Sequence, residues 1–229
     1  MIARTVAILL IFCTIPFCTG VDENYSSISD VSRITLPAPD EKGTLTVIEA
    51  LRYRRSIRSF ADTPLTQSDL SNLLWSIQGI TDPQGFRTTP SAGALYPLLV
   101  TVAIADVEGI PPGAYRYNPQ RHDIQKIRDG DLRPDLCSAA LDQQSVGEAP
   151  VTIIISGVYE ITRTRYGDRA ERYILMEAGH ASQNCYLIAT SGGLGTVAIG
   201  AFDEAAIQEI MGLSKDEIPL YLMPVGKRL

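Results

Sequence analysis

Residues 151–201 read VTIIISGVYEITRTRYGDRAERYILMEAGHASQNCYLIATSGGLGTVAIGA, and this stretch decides the fold. The apolar run at 151–158 predicts a fully buried strand, because both of its faces are hydrophobic. A long helix is predicted from 168 to about 191, and at about 1.5 Å per residue it would cross most of a small domain. A glycine-rich turn at 192–195 ends this helix before the next predicted strand.

Helices and strands surround this central unit without strict alternation. Further helices are predicted at about 47–54, 66–79, 132–141 and 203–211, and further strands at 98–105, 115–117, 124–127, 196–201 and 218–225. This mixture predicts one α+β domain over residues 44–229. The first of these helices carries one apolar face, formed by Leu45, Ile48 and Leu51.

The first twenty residues differ from the domain. Arg4 precedes an uncharged apolar run at 6–17, which is too short for a comfortable membrane span and is typical of the core of a signal peptide. Residues 1–20 are therefore predicted to be a signal peptide with cleavage after Gly20, and an uncleaved N-terminal anchor is the alternative. We expect a secreted or extracytoplasmic protein, or one attached by that anchor to the outer face of the cytoplasmic membrane.

Residues 21–43 lie between the export segment and the domain. They are polar and contain Pro37 and Pro39. This composition is typical of a flexible linker, because proline interrupts regular structure and few apolar side chains are available for burial. The sequence therefore predicts three parts: the export segment, the linker and the domain.

The charge balance argues against a nucleic acid as the partner. The 229-residue chain carries 20 Lys and Arg against 26 Asp and Glu, a net charge of −6, whereas nucleic-acid binding depends on a broad basic face. No metal site is indicated, because His122 and His180 are the only histidines and lie far apart. Beyond the export segment the cysteines are Cys137 and Cys185, for which two buried thiols are favoured over one disulfide.

Two cationic clusters stand at opposite ends of this acidic chain. Arg54, Arg55 and Arg58 fall within five positions, and Lys227 and Arg228 nearly close the sequence. Because guanidinium forks bind phosphate oxygens in pairs, the clusters predict one pocket for a phosphate-bearing cofactor that both ends must reach. For the first cluster alone, a solvated helix end is the alternative.

Two stretches of small residues predict close approach of the backbone to a ligand. Ser91, Ala92 and Gly93 lie in a loop bounded by prolines, and Gly200 and Ala201 end the predicted strand at 196–201. A flat or phosphorylated ligand needs such residues without bulk, although an ordinary loop is the alternative at each position. Neither stretch contains the glycine pattern of a Rossmann site or a P-loop, which argues against both.

Taken together, these motifs resemble the nitroreductase-like FMN flavoproteins. RRSIRSF is similar to their N-terminal flavin motif, and PSAGALYP is similar to their second motif in the SagB-type branch, whose dehydrogenases form thiazoles and oxazoles. EAGHASQN is similar to the central helix of that branch, and GLG and PVGKR complete the series. The motifs stand in order at 54–60, 90–97, 177–184, 193–195 and 224–228. The resemblance covers about 44–228.

The resemblance implies a nitroreductase-like α+β fold, in which a central mixed, mainly antiparallel sheet is flanked by helices and a long central helix lies at a homodimer interface. It also implies FMN as the cofactor. Arg54 and Arg228, with Lys227 nearby, would hold the FMN phosphate. Arg55 and Ser56 would contact the phosphate and the ribityl chain.

The isoalloxazine end of the cofactor is assigned in the same way. Arg58 would lie near N1 and O2, where negative charge collects on reduction. The loop residues 91–93 would reach the flavin bound mainly by the other subunit, because the family forms intertwined homodimers with two sites at the interface. Gly200 and Ala201 would offer backbone contacts to the N5 and O4 edge.

The implied activity is that of an FMN-dependent oxidoreductase, transferring hydride or electrons through FMN, with a small molecule or a peptide as substrate. The SagB-type branch uses a Lys-Tyr pair before the central helix, for which Arg165 and Tyr166 are the counterparts here. Ala94 and Tyr96 replace the Asn and Gln of simple nitroreductases, which weakens the case for a nitroaromatic or quinone substrate. One alternative is a module that binds a flavin or nucleotide without turnover; another is a structural dimer with an empty pocket.

Two polar residues of the long helix are expected to have structural roles. Glu177 is predicted to form an ion pair with Arg172 or Arg169. His180 is predicted to be a buried histidine with its hydrogen bonds satisfied rather than a catalytic one.

Overall fold

A computed structural model describes residues 33–40 and 42–229 as an antiparallel sheet covered by helices on both faces. The seven strands are β1 Arg33–Thr35, β2 Leu98–Ile104, β3 Gly113–Asn118, β4 Asp123–Asp129, β5 Val151–Val158, β6 Leu194–Thr196 and β7 Glu217–Lys227. The helices are α1 Val47–Tyr53, α2 Gln67–Gln78, α3 Arg133–Ala139, α4 Gln144–Glu148, α5 Tyr159–Tyr166, α6 Ala170–Ser191 and α7 Glu204–Met211. The α+β fold is confirmed.

The strand order is β1-β4-β3-β2-β5-β7-β6, and every pair of neighbouring strands is antiparallel. The strands predicted at 115–117 and 124–127 are present as β3 and β4, which form a hairpin. The predicted strand at 196–201 is wrong in its bounds, because β6 ends at Thr196. Beyond it the Ala198 amide donates to the Tyr186 hydroxyl at 2.8 Å instead of to a strand, and the chain leaves the sheet.

The central strand β5 separates two apolar layers. Ile153 and Ile155 pack into the layer that holds α2 and α6, whereas Ile154 packs into the layer that holds α3 and α7. Successive side chains of a strand point to opposite faces, so a strand covered on both sides must be apolar throughout. The predicted buried strand and the predicted long helix are therefore both present, at 151–158 and 170–191.

Part of the predicted linker belongs to the domain. Residues 33–35 form β1 on the edge of β4, and Leu36 is buried, with its amide donating to the His122 carbonyl at 3.1 Å. The linker prediction is wrong for this part, because a three-residue strand and one buried leucine give too weak a pattern to separate from a polar, proline-containing segment. The predicted signal peptide, and the linker prediction for residues 21–32, lie outside the described residues.

The helix α1 begins as predicted but does not bury its apolar face. Its capping box is formed, with Thr46 and Glu49 bonding reciprocally. Only Ala50 is buried in α1, whereas Ile48 is 74% exposed and Leu51 is 50% exposed. This apolar face is therefore available to a surface outside the single chain.

Both cysteines beyond the export segment lie in the described part of the chain. Cys137 and Cys185 are both free thiols, as favoured from the sequence, and Cys185 is buried. Burial raises the pKa of the Cys185 thiol to about 12, so it stays protonated and inert near neutral pH.

Within the ranges that the structure describes, no helix has the length and hydrophobicity to cross a membrane.

Candidate functional site

The two cationic ends of the chain lie side by side. Residues 54–60 run along the edge of the sheet, where Ser56 pairs in parallel with Thr196 and Phe60 pairs in antiparallel with Arg228. The packing is close, because a Cβ added to Gly195 would lie 2.6 Å from an Ile57 side-chain atom. The fold therefore brings the first arginine cluster against the C-terminal strand.

Most of the clustered arginines have no acidic partner. Among the described residues, no carboxylate forms an ion pair with Arg54, Arg55, Arg58 or Arg228. Arg55 instead donates to the carbonyls of Arg52 and Arg54, at 3.1 and 2.7 Å, and Arg228 donates through Nε to the Leu194 carbonyl at 2.8 Å. Backbone carbonyls orient these groups without neutralising them, so their charge remains available to an anion.

Lys227 differs from these arginines. Its Nζ lies 2.8 Å from Asp69 Oδ2, at the start of α2. Burial raises the pKa of Asp69, but the Lys227 ammonium and the hydrogen bonds of Thr66 outweigh it and leave that pKa below its ordinary value. Lys227 is thus held at the start of α2, whereas Arg228 Nη2 contacts Thr190 on α6 at 3.4 Å. The prediction that Lys227 joins the phosphate-binding cations is therefore not supported by its position.

A residue that the sequence did not reveal, Tyr186, lies under this cluster. Its hydroxyl is 3.0 Å from Ser56 Oγ and accepts the Ala198 amide at 2.8 Å. The Arg54 guanidinium lies 5.0 Å from the centre of its ring. A tyrosine within the buried face of a helix needs a partner for its hydroxyl, and that requirement was the available sequence signal. We call Arg54, Arg55, Ser56, Arg58, Arg228 and Tyr186 the cationic group.

Gly200 and Ala201 are the residues whose backbones are predicted to contact the ligand. Both residues are exposed. They come immediately after Ile199, which exchanges two backbone hydrogen bonds with Leu222. A Cβ added to Gly200 would find Tyr221 as its nearest neighbour at 3.9 Å, so the backbone there is open to a ligand. Ala201 offers less, because its carbonyl already accepts from Gln143 at 3.0 Å.

The small-residue loop forms a second and different group. Gly93, Ala94 and Tyr96 all have positive φ, at 65°, 53° and 50°. Such angles are strained for non-glycine residues and persist only where the surroundings enforce them. The Ser91 hydroxyl accepts the Tyr96 amide at 2.9 Å, and the Arg87 guanidinium lies 4.4 Å from the centre of the Tyr96 ring.

The predicted catalytic pair contacts this loop. Arg165 Nη1 donates to the Gly93 carbonyl at 3.4 Å. A Cβ added to Gly93 would lie 2.8 Å from Tyr166 Oη and 2.9 Å from Arg165 Nη1. Tyr166 also packs edge-on against Tyr173, with ring centres 5.0 Å apart. A side chain at position 93 would therefore displace the tips of Tyr166 and Arg165 and would also have to adopt a φ of 65°.

Glu177 is buried against the same loop and is only 3% exposed. Burial raises the pKa of Glu177 to about 7, although the Ser91 side chain, Arg87 and the Ala92 amide oppose the rise. Its Oε1 has no hydrogen-bond partner. The predicted ion pair with Arg169 or Arg172 is wrong, because both arginines are exposed on the outside of α6.

His180 is also placed differently from the prediction. It is exposed on α6 rather than buried. The reason is helical geometry: at about 100° per residue, His180 lies on the side opposite to the buried residues Ala178 and Ser182. We call residues 87–96, with Arg165, Tyr166 and Glu177, the loop group.

The helix α6 lies between the two groups. Asn184 donates to the Thr88 carbonyl at 3.2 Å on the loop side, whereas Tyr186 contacts the cationic group. Residues two positions apart on a helix are rotated by about 200° about its axis, so the side chains of Asn184 and Tyr186 project from opposite faces of α6. No hydrogen bond or ion pair between described residues joins the two groups, which lie apart within one chain.

The donor set fits a phosphate-bearing ligand better than a metal. Uncompensated guanidinium groups, the exposed Ser56 and the open backbone at Gly200 supply donors for an anionic, oxygen-rich molecule. Within residues 33–40 and 42–229, no three His, Cys, Asp or Glu side chains are arranged to hold a metal ion.

Comparison with known proteins decides the family. The model of the nitroreductase family matches residues 51–227. The chain belongs to the nitroreductase family. As the resemblance suggested, it is therefore an oxidoreductase of a flavoprotein family, and both groups described above lie within the matched range except for Arg228, which directly follows it.

Three similar proteins illustrate this membership. A Methanocaldococcus jannaschii protein named as a nitroreductase is 45% identical over 202 residues, which cover 88% of this chain and 100% of that protein. The crystal structure of a Ralstonia eutropha JMP134 protein, also named as a nitroreductase, aligns with a TM-score of 0.76 at 32% identity, over 86% of this chain and 90% of the other. The Escherichia coli microcin synthetase McbBCD complex, with truncated pro-MccB17 bound, aligns with a TM-score of 0.66 at 20% identity, over 96% and 85%, which is a likeness of fold.

Proposed function

We propose that this nitroreductase-family chain is an FMN-dependent dehydrogenase of the SagB type that works as a homodimer. The observation that carries the proposal is that Arg54 and Arg228, from opposite ends of the chain, both lie at the Tyr186 turn of α6, where no carboxylate of the described residues pairs with them. A protein of net charge −6 that keeps such a site uncompensated is suited to a bound anion.

Four members of the cationic group, together with Gly200, contact FMN in this proposal. Arg54 and Arg228 hold the phosphate of FMN, and Ser56 donates to the phosphate or the ribityl chain. Arg58 stabilises negative charge on the pyrimidine side of the ring, and the Gly200 amide contacts the ring edge. When bound, FMN supplies hydride and electron transfer, so no protein nucleophile is needed.

The proposed homodimer accounts for two features of the single chain. Ile48 and Leu51 on α1, and Leu175 and Met176 on α6, expose between 47% and 74% of their surface. Adjacent exposed apolar side chains of this size mark an interaction surface. A second copy would cover them, and its loop at 91–93 would reach the cationic group that the loop of the same chain does not contact.

The loop group would then handle protons on the substrate side. Tyr166 Oη lies beside Gly93, and Glu177 holds a carboxyl whose pKa of about 7 allows it to gain or lose a proton near neutral pH. Arg165 stays protonated and orients the loop through the Gly93 carbonyl. A peptide is a suitable substrate class, since a fold neighbour carries a bound precursor peptide, and a small molecule is the other.

The location is also part of the proposal. The signal-like residues 1–20 would place the protein outside the cytoplasm, where it would bind FMN after export. Fractionation of cells that produce the full chain checks this proposal: recovery in the cytoplasm, at full length, would contradict it.

Purification of the full chain tests the flavin proposal. We expect a yellow protein whose absorbance bleaches with dithionite and which releases FMN, identified by mass, on denaturation. A colourless protein that cannot be reconstituted with FMN would contradict the proposal. Bound FMN that no electron donor reduces would favour the non-catalytic flavin-binding module instead.

A further inference from the structure

We propose that Tyr186 is a positioning residue that orients Ser56 and Arg54 toward the cofactor before it binds. The inference rests on the proposed function, because it takes FMN as the ligand of the cationic group. Its basis is that one side chain touches three residues on two separate segments: Arg54 and Ser56 on the first, and Ala198 on the second.

The first step concerns the hydroxyl of Tyr186. It has one proton to donate, and it already accepts the Ala198 amide at 2.8 Å. Tyr186 is 8% exposed, and Ser56 Oγ, at 3.0 Å, is its other hydrogen-bond partner. If the Tyr186 proton pointed elsewhere it would be buried without a partner, so Tyr186 donates to Ser56 Oγ.

This direction of the hydrogen bond determines where the Ser56 hydroxyl can donate. Since Ser56 Oγ accepts from Tyr186, its own proton is free to point toward a ligand. Ser56 is exposed, so a ligand has access to it. The amide of Ala198 thus fixes a chain of two hydroxyl groups that ends in a donor, which suits phosphate or ribityl oxygen and not a cation.

The second step concerns the ring of Tyr186. The Arg54 guanidinium lies 5.0 Å from the ring centre, within the range of a cation–π interaction. A carboxylate in this position would also orient Arg54, but it would neutralise the charge and compete with a phosphate. The ring holds the guanidinium in place and leaves its full charge for the ligand.

The third step is that the other end of the chain is attached to the same helix. Thr190 Oγ1 donates to the Tyr186 carbonyl at 2.8 Å and accepts from Arg228 Nη2 at 3.4 Å. Residues four apart lie on one helix face, about 6 Å from each other. One turn of α6 therefore positions both predicted phosphate-binding arginines.

The test distinguishes the contribution of the Tyr186 hydroxyl to flavin binding from that of the Tyr186 ring. Dissociation constants for FMN and for riboflavin, which lacks the phosphate, are measured by flavin fluorescence on full-length apoprotein of the wild type, Y186F and Y186L. We expect Y186F to weaken both flavins by about fivefold, the effect of one hydrogen bond, and to leave the ratio of the two constants unchanged. Y186L should in addition reduce the preference for FMN over riboflavin by about threefold to tenfold, because Arg54 loses its ring.

Tyr115→Phe is the matched control. Tyr115 is fully buried, and its hydroxyl donates to the Pro111 carbonyl, away from the cationic group. It should lower thermal stability as Y186F does but leave both flavin constants unchanged. If Y186L does not fold, Y186F combined with Ser56→Ala carries the test, and the two changes should be non-additive because the Tyr186 hydroxyl acts on the ligand through Ser56.

The outcomes distinguish two failures. Wild-type protein that binds neither flavin would overturn the proposed function, and this inference with it. If the wild type binds both flavins and Y186F weakens FMN binding no more than the Tyr115→Phe control does, the role of Tyr186 alone is overturned. If the wild type and Y186L prefer FMN over riboflavin to the same extent, the role of the Tyr186 ring is overturned.

Discussion

The cationic group and the loop group lie on opposite sides of one helix and are built on opposite principles. The cationic group is largely exposed, carries several uncompensated charges and is held by backbone carbonyls and one aromatic ring. The loop group contains one buried carboxyl, that of Glu177, is strained at Ala94 and Tyr96, and packs Gly93 closely against the tips of Tyr166 and Arg165. In the proposed function, binding of an anion and handling of protons fall to these two separate regions, and a second copy of the chain would bring them together.

The largest expected effect tests the buried side of this contrast. Because the pKa of Glu177 is raised to about 7 in the folded protein, the folded state holds its proton more tightly than the unfolded state does. That contribution to stability is complete below the ordinary pKa of 4.5 and is lost as the pH rises through 7. We expect the free energy of unfolding to fall by an amount of the order of 3 kcal/mol between pH 4.5 and pH 8 from this group.

Glu177→Gln supplies the comparison, since it mimics the protonated acid. Its free energy of unfolding, measured by urea denaturation of the apoprotein, should change much less over the same pH range. Glu160→Gln, an exposed residue of α5, is the control and should keep the wild-type profile. A Glu177→Gln profile as steep as that of the wild type would show that the carboxyl does not titrate there.

The second prediction concerns the exposed side. Arg54→Ala should weaken FMN binding by about 2–3 kcal/mol, the strength of a hydrogen bond to a charged group, and should change riboflavin binding much less. Titration calorimetry of the full-length apoprotein measures both. Arg163→Ala, which removes an exposed arginine from α5, should change neither. Equal losses for the two flavins would mean that Arg54 does not act on the phosphate.

The third prediction concerns how the two groups are joined. Ile48→Asp places a charge on the exposed apolar face of α1 and should weaken the proposed dimer by about 1.5–3 kcal/mol, the value of burying one such side chain. Sedimentation across a dilution series measures the shift toward monomer. Leu141→Asp, at a residue that is 65% exposed between α3 and α4, should leave the dimer intact. If both variants behave alike, α1 is not at the interface.

The smallest effect is expected at the loop. Gly93→Ala adds a Cβ that would meet Tyr166 Oη at 2.8 Å and places alanine at a φ of 65°. We expect a loss of about 1–2 kcal/mol in unfolding free energy. Gly130→Ala, at a φ of 102° with no atom within 4 Å of the added Cβ, tests backbone strain without the contact. A larger loss for Gly130→Ala would show that contact with the end of α5 is unimportant.

The sequence was most informative where one pattern acts over many residues. The apolar run of β5 and the buried face of α6 gave the central elements almost to their observed ends, because burial imposes a regular spacing. Ile48 and Leu51 were identified as one apolar face, but a pattern of hydrophobic residues does not say whether the same chain covers it. Their exposure became visible only in the fold.

Single contacts were the least predictable part of the candidate site. The density of arginines predicted most of the cationic group, but Lys227 was assigned to the same site, whereas it forms an ion pair with Asp69. Tyr186 and the surroundings of Glu177 were missed because their partners are about 130 and 86 residues away along the chain. Only the packing of α6 against both groups defines these contacts.

Titration of the full-length apoprotein with FMN and with riboflavin tests the central claim most directly. The claim is that guanidinium groups from both ends of the chain hold a phosphate. We predict that FMN binds about 100-fold more tightly than riboflavin, the value of about 3 kcal/mol, and that Arg54→Ala combined with Arg228→Ala removes most of this difference. Equal affinity of the wild type for the two flavins would contradict the claim.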